Sequence, residues 1–131
     1  MAQTKITGDN LAATTVTSAN LNADVYSTDR AWTGSQRSTL VTDNDGSFDM
    51  NAGQNFKCTP AGNLTLTFTN HTSGQSGVII LVNSGGHTIS LHGTSKADAN
   101  LATTVSAAGT YILSYIDDGT NAYLTNSAVI A

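Results

Sequence analysis

Nine carboxylates, three histidines, one cysteine and a scatter of serines are the residues of this 131-residue chain that could do chemistry. Two carboxylate pairs stand out: Asp43 with Asp45, and Asp117 with Asp118. A glycosidase needs two such groups facing each other across a cleft. Each pair here sits beside a glycine, in Asp43-Asn-Asp-Gly46 and Asp117-Asp-Gly119. Asp is favoured in tight turns because its side chain bonds nearby backbone, so both pairs read as turns. Asp43-Asn-Asp-Gly46 also opens like a calcium loop. The complete loop needs further oxygen ligands and a distal Glu, and the chain contains no Glu. That leaves, at most, a weak surface Ca²⁺ site at Asp43 and Asp45.

Ser73-Gly-Gln-Ser76-Gly77 differs from the Gly-x-Ser-x-Gly elbow of hydrolases, and no helical pattern follows it. His71, His87 and His92 could ligate a metal. His87 and His92 differ in parity and so face opposite sides of a strand; His71 belongs to another turn. All three read as exposed turn histidines, although a trimer could gather one from each subunit on its axis. Cys58 alternates with Phe56 and reads as a small core residue rather than a reactive thiol. The chain is expected to be no enzyme and to carry no cofactor.

The elements that hold these residues are strands. Leu64, Leu66 and Phe68 alternate with Thr65, Thr67 and Thr69, the period of two of a half-buried strand. Val78 to Val82 is apolar on both faces, as in a central strand covered on both sides. Ile89 and Leu91 alternate again. The expected arrangement is three neighbouring antiparallel strands, with Ser84-Gly-Gly86 as a hairpin turn and with Leu66 and Ile80 in the core. Further strands are expected at 38–42, around Phe48 and Met50, from Phe56 to Pro60, at 101–105, at 109–116 and at 121–125. The stretch from His92 to Asn100 reads as a surface loop. Short strands at this spacing indicate an all-β domain, a small antiparallel β-sandwich or barrel, over residues 38–131.

Composition agrees. Only 11% of residues are charged, and Thr, Ser, Asn and Gly fill the polar positions, favouring strands and turns over helix interiors. A formal charge of −4 with five basic residues argues against a nucleic-acid partner. No apolar run approaches the roughly 20 residues of a membrane helix, and the first residues lack an apolar signal-peptide core.

Residues 1–37 read as an extended N-terminal arm and junction. The arm is rich in Thr, Ala and Asn, with an echo ten residues apart in Thr7-Gly-Asp-Asn-Leu11 and Thr17-Ser-Ala-Asn-Leu21. It has too little apolar surface to fold alone. It either docks on a neighbouring subunit or larger assembly, or supplies a first strand to its own domain. Trp32, Arg30 and Arg37 lie within one short polar stretch, and Trp and Arg are enriched at interface centres. Trp32 could equally cover one end of the β-domain. The tail Ala128-Val-Ile-Ala131 is apolar and could pack or pair against another chain. The expected interface residues are Ile6, Leu11, Leu21, Trp32, Arg37, Val129 and Ile130.

The order of pieces from Asp43-x-Asp-Gly46 through Gly62-Asn-Leu-Thr-Leu-Thr-Phe-Thr-Asn70, Gly86-His-Thr-Ile-Ser90 and Tyr111-Ile-Leu-Ser-Tyr-Ile-Asp-Asp-Gly-Thr-Asn121 resembles the small β-modules of tailed-bacteriophage virion proteins. Residues 40 to 125 carry the likeness. The resemblance implies a head decoration (cement) protein on the capsid surface, with the major capsid protein as partner and a homotrimer as assembly. It also allows a tail-fibre or baseplate appendage module that binds a host receptor or glycan. The excursion after Ser90 is short, His92 to Asp98, which argues against a carbohydrate-binding loop there.

Overall fold

The computed structural model describes residues 34, 35 and 37–130. The chain divides into two units, 1–36 and 37–131, and the architecture below is that of the second. Ile6, Leu11, Leu21 and Trp32 lie outside the described residues.

The unit is all-β with one short helix. Its strands are β1 (Leu40–Thr42), β2 (Ser47–Asp49), β3 (Asn55–Cys58), β4 (Leu64–Thr69), β5 (Ser76–Asn83), β6 (Ile89–Leu91), β7 (Ser95–Ala97), β8 (Gly109–Asp117) and β9 (Ala122–Asn126). Helix α1 (Leu101–Ser106) precedes β8. From β1 to β6 successive strands alternate between two sheets, and β7, β8 and β9 all join the larger one. A six-stranded sheet runs β1-β3-β5-β8-β9-β7, and a three-stranded sheet runs β2-β4-β6.

The expected antiparallel sandwich or barrel is replaced by a solenoid-like winding. β1 pairs parallel with β3 and β3 with β5, while β2 pairs parallel with β4 and β4 with β6. The chain thus makes three coils, each with one strand in each sheet. β8 then runs antiparallel to β5, and β9 antiparallel to β8. Period-two alternation buries the same side chains whether the next strand in sequence is a hydrogen-bonded neighbour or lies across the core. It therefore locates strands without naming their partners. Ser84-Gly-Gly86 is accordingly a corner between sheets rather than a hairpin. Gly86 there has φ of 63°, a conformation that favours glycine.

Inward residues of both sheets form one core. Phe48 of β2 lies 5.1 Å from Phe56 of β3 and 5.5 Å from Phe68 of β4, centroid to centroid. Phe68 lies 4.9 Å from Tyr115 of β8. These tilted contacts link both sheets through aromatic packing. Leu66, Ile79, Leu81, Leu113 and Cys58 are fully buried around them.

Two local expectations fail. Residues 101–105 form a helix, because Leu101 and Val105 are four apart and both buried, with Thr103 and Thr104 exposed between them. The stretch expected as a loop contains β7, which pairs parallel with β9. Ser95 anchors it by donating its hydroxyl to the Leu66 carbonyl at 2.9 Å. The tail finds a partner in its own chain: the Ile130 N–H donates to the Thr110 carbonyl at 2.8 Å.

The expectation that β5 is covered on both sides also fails. Ile79 and Leu81 point inward and are fully buried, whereas Val78, Ile80 and Val82 point outward and are half-buried. Leu66→Ala should therefore cost about 2–5 kcal/mol, the range for an emptied core site. Ile80→Ala should cost well under half as much. Urea denaturation of the two variants checks this contrast.

Candidate functional site

Three features of the described residues could carry function: a His–Asp pair at one end, an Asp-bearing turn, and the outward faces of the two sheets.

The His–Asp pair is built by two connections that meet. The β4–β5 loop turns at Asn70, a non-glycine residue with φ of 55°, and at Gly74. It is stitched to the end of β8 by the Gly74 N–H donating to the Asp117 carbonyl and the Asp117 N–H donating to the Gln75 carbonyl. This brings His71 Nδ1 to 2.6 Å from Asp117 Oδ2. The Asp117 side chain is fully buried, and its other oxygen accepts the Gly119 N–H at 2.7 Å. A buried carboxylate requires such partners. Beside the pair, the Tyr115 hydroxyl donates to the Gln54 carbonyl at 2.8 Å, and Gln75 Nε2 donates to the Met50 and Gly53 carbonyls. Burial raises the Tyr115 phenol above its ordinary range.

A carboxylate on Nδ1 fixes the imidazole as general bases and metal-binding histidines are fixed. Triad-type catalysis also needs a hydroxyl or thiol nucleophile on the other ring nitrogen. Among the described residues no serine or threonine hydroxyl is hydrogen-bonded to His71, so the pair reads as a latch between two loops. Asp117 and Asp118 sit in different environments. Asp117 is buried, whereas Asp118 is exposed, with its carboxylate accepting the Thr120 and Asn121 N–H groups and the Tyr123 hydroxyl.

Asp43 and Asp45 serve their turn. Asp43 Oδ1 accepts the Asp45 N–H, Asp45 Oδ1 accepts the Ser47 N–H, and Asn44 Oδ1 accepts the Thr59 N–H. Desolvation, reinforced by the neighbouring Asp45 carboxylate, holds Asp43 above the ordinary carboxylate range. No cluster of three or more His, Cys, Asp or Glu suited to a metal occurs among the described residues. His87 follows the β5–β6 corner, and His92 Nδ1 pairs with the Thr94 hydroxyl. Cys58 is buried, and burial pushes its thiol up to about 11, which suits packing and not nucleophilic chemistry.

The outward faces differ sharply. The three-stranded sheet presents Ser47 and Asp49 from β2, Thr65, Thr67 and Thr69 from β4, and Ser90 from β6. The Thr65 and Ser90 hydroxyls are bonded at 2.7 Å. The six-stranded sheet presents Val78, Ile80 and Val82 from β5, Ile112 and Ile116 from β8, Tyr123 from β9 and Leu40 from β1. Leu40, Ile116, Tyr123, Val129 and Ile130 are the exposed large apolar residues of the described chain, and all lie on this face or its tail margin. Exposed apolar residues gathered on one face are a feature of interaction sites.

Of the interface residues expected from sequence, Val129 and Ile130 are thus on the margin of the apolar face, and Arg37 is exposed just before β1. Sequence reasoning missed the His71–Asp117 pair, which joins residues 46 apart. It also missed Leu40, Ile116 and Tyr123. A signal existed for Ile116: β8 places Ile112 and Ile116 in phase opposite to its buried Tyr111, Leu113 and Tyr115.

Comparison with protein families, with characterised proteins and with solved structures finds no match for this chain.

Asp117→Ala strands the His71 ring and the Gly119 N–H, and should lower unfolding free energy by about 1–3 kcal/mol, as hydrogen-bonding groups left unmatched do; urea denaturation measures it. Acid should also destabilise the unit. Asn70 and the Asn51 N–H hold Asp49 below its ordinary value, and the Asn121 and Thr120 N–H groups do the same for Asp118. A depressed carboxylate contributes stability above its unfolded pKa of about 3.8, and that stability is lost as pH falls through the lower folded value. Asp43, shifted upward, opposes this in part. The urea midpoint should therefore drop as pH is lowered from about 5 toward 2.

Proposed function

We propose that this chain is a structural protein of a tailed-bacteriophage virion, a capsid decoration (cement) protein that binds the outer shell and stabilises it. The observation that carries the reading is the contrast between the two outward faces. One is a lattice of hydroxyls and the other gathers the exposed large apolar side chains of the described unit. A one-sided apolar surface on a small β-unit suits adhesion to a larger body. The buried Cys58, the loop-joining His71–Asp117 pair and the turn-bound Asp43 and Asp45 each have a structural role. The resemblance of residues 40–125 to phage virion β-modules gives the body its identity. The partner is then the major capsid protein, the location is the capsid surface, and the assembly is a homotrimer, since closed rings satisfy exposed patches at three-fold lattice positions.

The second reading is a tail-fibre or baseplate appendage module. Tyr123 favours it, as an exposed aromatic ring on which a host glycan could rest.

Co-sedimentation with particles lacking this chain separates the two. Decoration predicts saturable binding at many copies per particle, with a trimer in light scattering of the free protein. A stable oligomer that ignores particles and adsorbs to host cells or glycans would replace it with the appendage reading.

A further inference from the structure

We infer that Asp118–Gly119 is a latent modification site, where aspartate can rearrange to isoaspartate, and that the buried Asp117 carboxylate is the guard that holds it closed. The chemistry is internal to the chain and independent of any partner.

The chain contains two Asp–Gly dipeptides, Asp45–Gly46 and Asp118–Gly119. Aspartate rearranges most readily before glycine, which has no side chain to shield its amide nitrogen or restrict its backbone. The Gly119 nitrogen attacks Cγ of Asp118. The N–Cγ bond forms, a Cγ–O bond breaks, and the amide proton leaves with the carboxyl hydroxyl as water. Water then adds to the cyclic imide. Opening at Cγ restores aspartate; opening at the α-carbonyl routes the main chain through the side-chain carboxyl and leaves isoaspartate. Water is released and taken up again, so the mass is unchanged and no other reactant enters.

Asp118 and Gly119 are exposed, so water reaches them. What restrains the reaction is the engagement of both reacting groups. The Gly119 N–H donates to Asp117 Oδ1 at 2.7 Å. A nitrogen bonded to a charged acceptor must give up that bond before it attacks. Asp117 is itself fixed, with its side chain fully buried and its Oδ2 held at 2.6 Å from His71 Nδ1. His71 is thus a positioning residue for the guard. The Asp118 carboxylate is drawn forward along the turn. Its Oδ1 accepts the Thr120 N–H at 2.9 Å and the Asn121 N–H at 2.7 Å, and its Oδ2 accepts the Tyr123 hydroxyl at 2.9 Å. These donors hold the carboxyl below its ordinary range, and an ionised carboxylate is a poorer electrophile than the acid.

Asp45–Gly46 is arranged alike. Asp45 Oδ1 accepts the Ser47 N–H at 2.8 Å, and the Gly46 N–H is directed at the Asp43 carboxylate. In both turns an acid preceding the Asp–Gly step engages the glycine amide, which gives the two carboxylate pairs one role in common. Isoaspartate at 118 would put an extra methylene into the main chain between β8 and β9. The bond from the Asp118 N–H to the Asn121 carbonyl and the hold on Tyr123 both depend on the present spacing.

The test is prolonged incubation at about pH 5, where an ordinary Asp carboxyl is still partly protonated. Isoaspartate is counted by enzymatic methyl transfer to the isoaspartyl carboxyl and located by peptide mass mapping. The samples are the wild type, Asp117→Ala, Asp117→Asn, Leu66→Ala and a synthetic peptide of residues 115–123, with circular dichroism confirming that each protein is folded. The wild type should form isoaspartate at 118 about tenfold or more slowly than the peptide, and Asp117→Ala about tenfold faster than the wild type. Asp117→Asn keeps an acceptor for the Gly119 N–H and should stay near the wild-type rate. Leu66→Ala loosens the core without touching the guard and should also stay slow. A wild type that reacts at the peptide's rate overturns the inference without any variant having to fold. Asp117→Ala as slow as the wild type, Asp117→Asn as fast as the peptide, or Leu66→Ala as fast as Asp117→Ala would each overturn it too.

Discussion

The Asn83 side chain is the contact on which the winding depends. It is fully buried at the end of β5. Its Oδ1 accepts the His87 N–H at 2.8 Å, and its Nδ2 donates to the carbonyls of His87 at 2.8 Å and Val105 at 2.9 Å. One carboxamide thus closes the corner between the sheets and fastens the end of α1 to it. The adjoining Ser106 hydroxyl accepts the Ile89 N–H at 2.9 Å, so the helix also covers a donor on β6. A buried amide with every partner supplied rigidifies its surroundings, whereas one left unmatched would be costly. Without the Asn83 carboxamide the corner would keep its Gly86 N–H to Asn83 carbonyl bond but lose its side-chain ties to His87 and to the end of α1.

Local order was plain in the amino-acid pattern. The alternation of Leu64, Leu66 and Phe68 with threonines, the glycine at Gly119 and the small buried Cys58 all lead to elements that the structure contains. Partner choice was not legible. Phe48, Phe56 and Phe68 alternate equally well in an antiparallel meander and in parallel coils, and only the corners differ. The helix was hidden by Thr103 and Thr104, which suggest a strand, while Leu101 and Val105 at helical spacing decide the outcome by burial. His71 and Asp117 looked like ordinary turn residues because their meeting depends on two loops folding toward each other. The apolar face was misread for a related reason: β5 reads as covered on both sides, and nothing in its own residues says that one side has no second layer among the described residues.

The two outward faces share one physical origin. In each sheet, alternate residues face the common core, and the remaining positions are free of its demands. On β4 those positions are all threonine, whose hydroxyls interact with water and with neighbouring strands. On β5 they are Val78, Ile80 and Val82. β-branched side chains favour extended backbone in both cases, so strand propensity cannot account for the difference between hydroxyl and methyl. Solubility favours the hydroxyl; contact with another body favours the methyl.

The coiled pairing also makes this unit extensible. Each parallel strand of the coils is hydrogen-bonded within its sheet to the coil before or after it, as in solenoids, where stability is close to a sum of repeats and their junctions. The end after β6 is closed by α1 and by the antiparallel β8–β9 pair. A coil duplicated between β3–β4 and β5–β6 would keep that closure provided the copy beside it retained the contacts of Gln54, Leu66 and Phe68 with β7 and β8. It would lengthen each sheet by one strand spacing, about 4.8 Å. Distance along the winding axis is thereby quantised, and a lineage carrying this architecture can change its reach in whole steps.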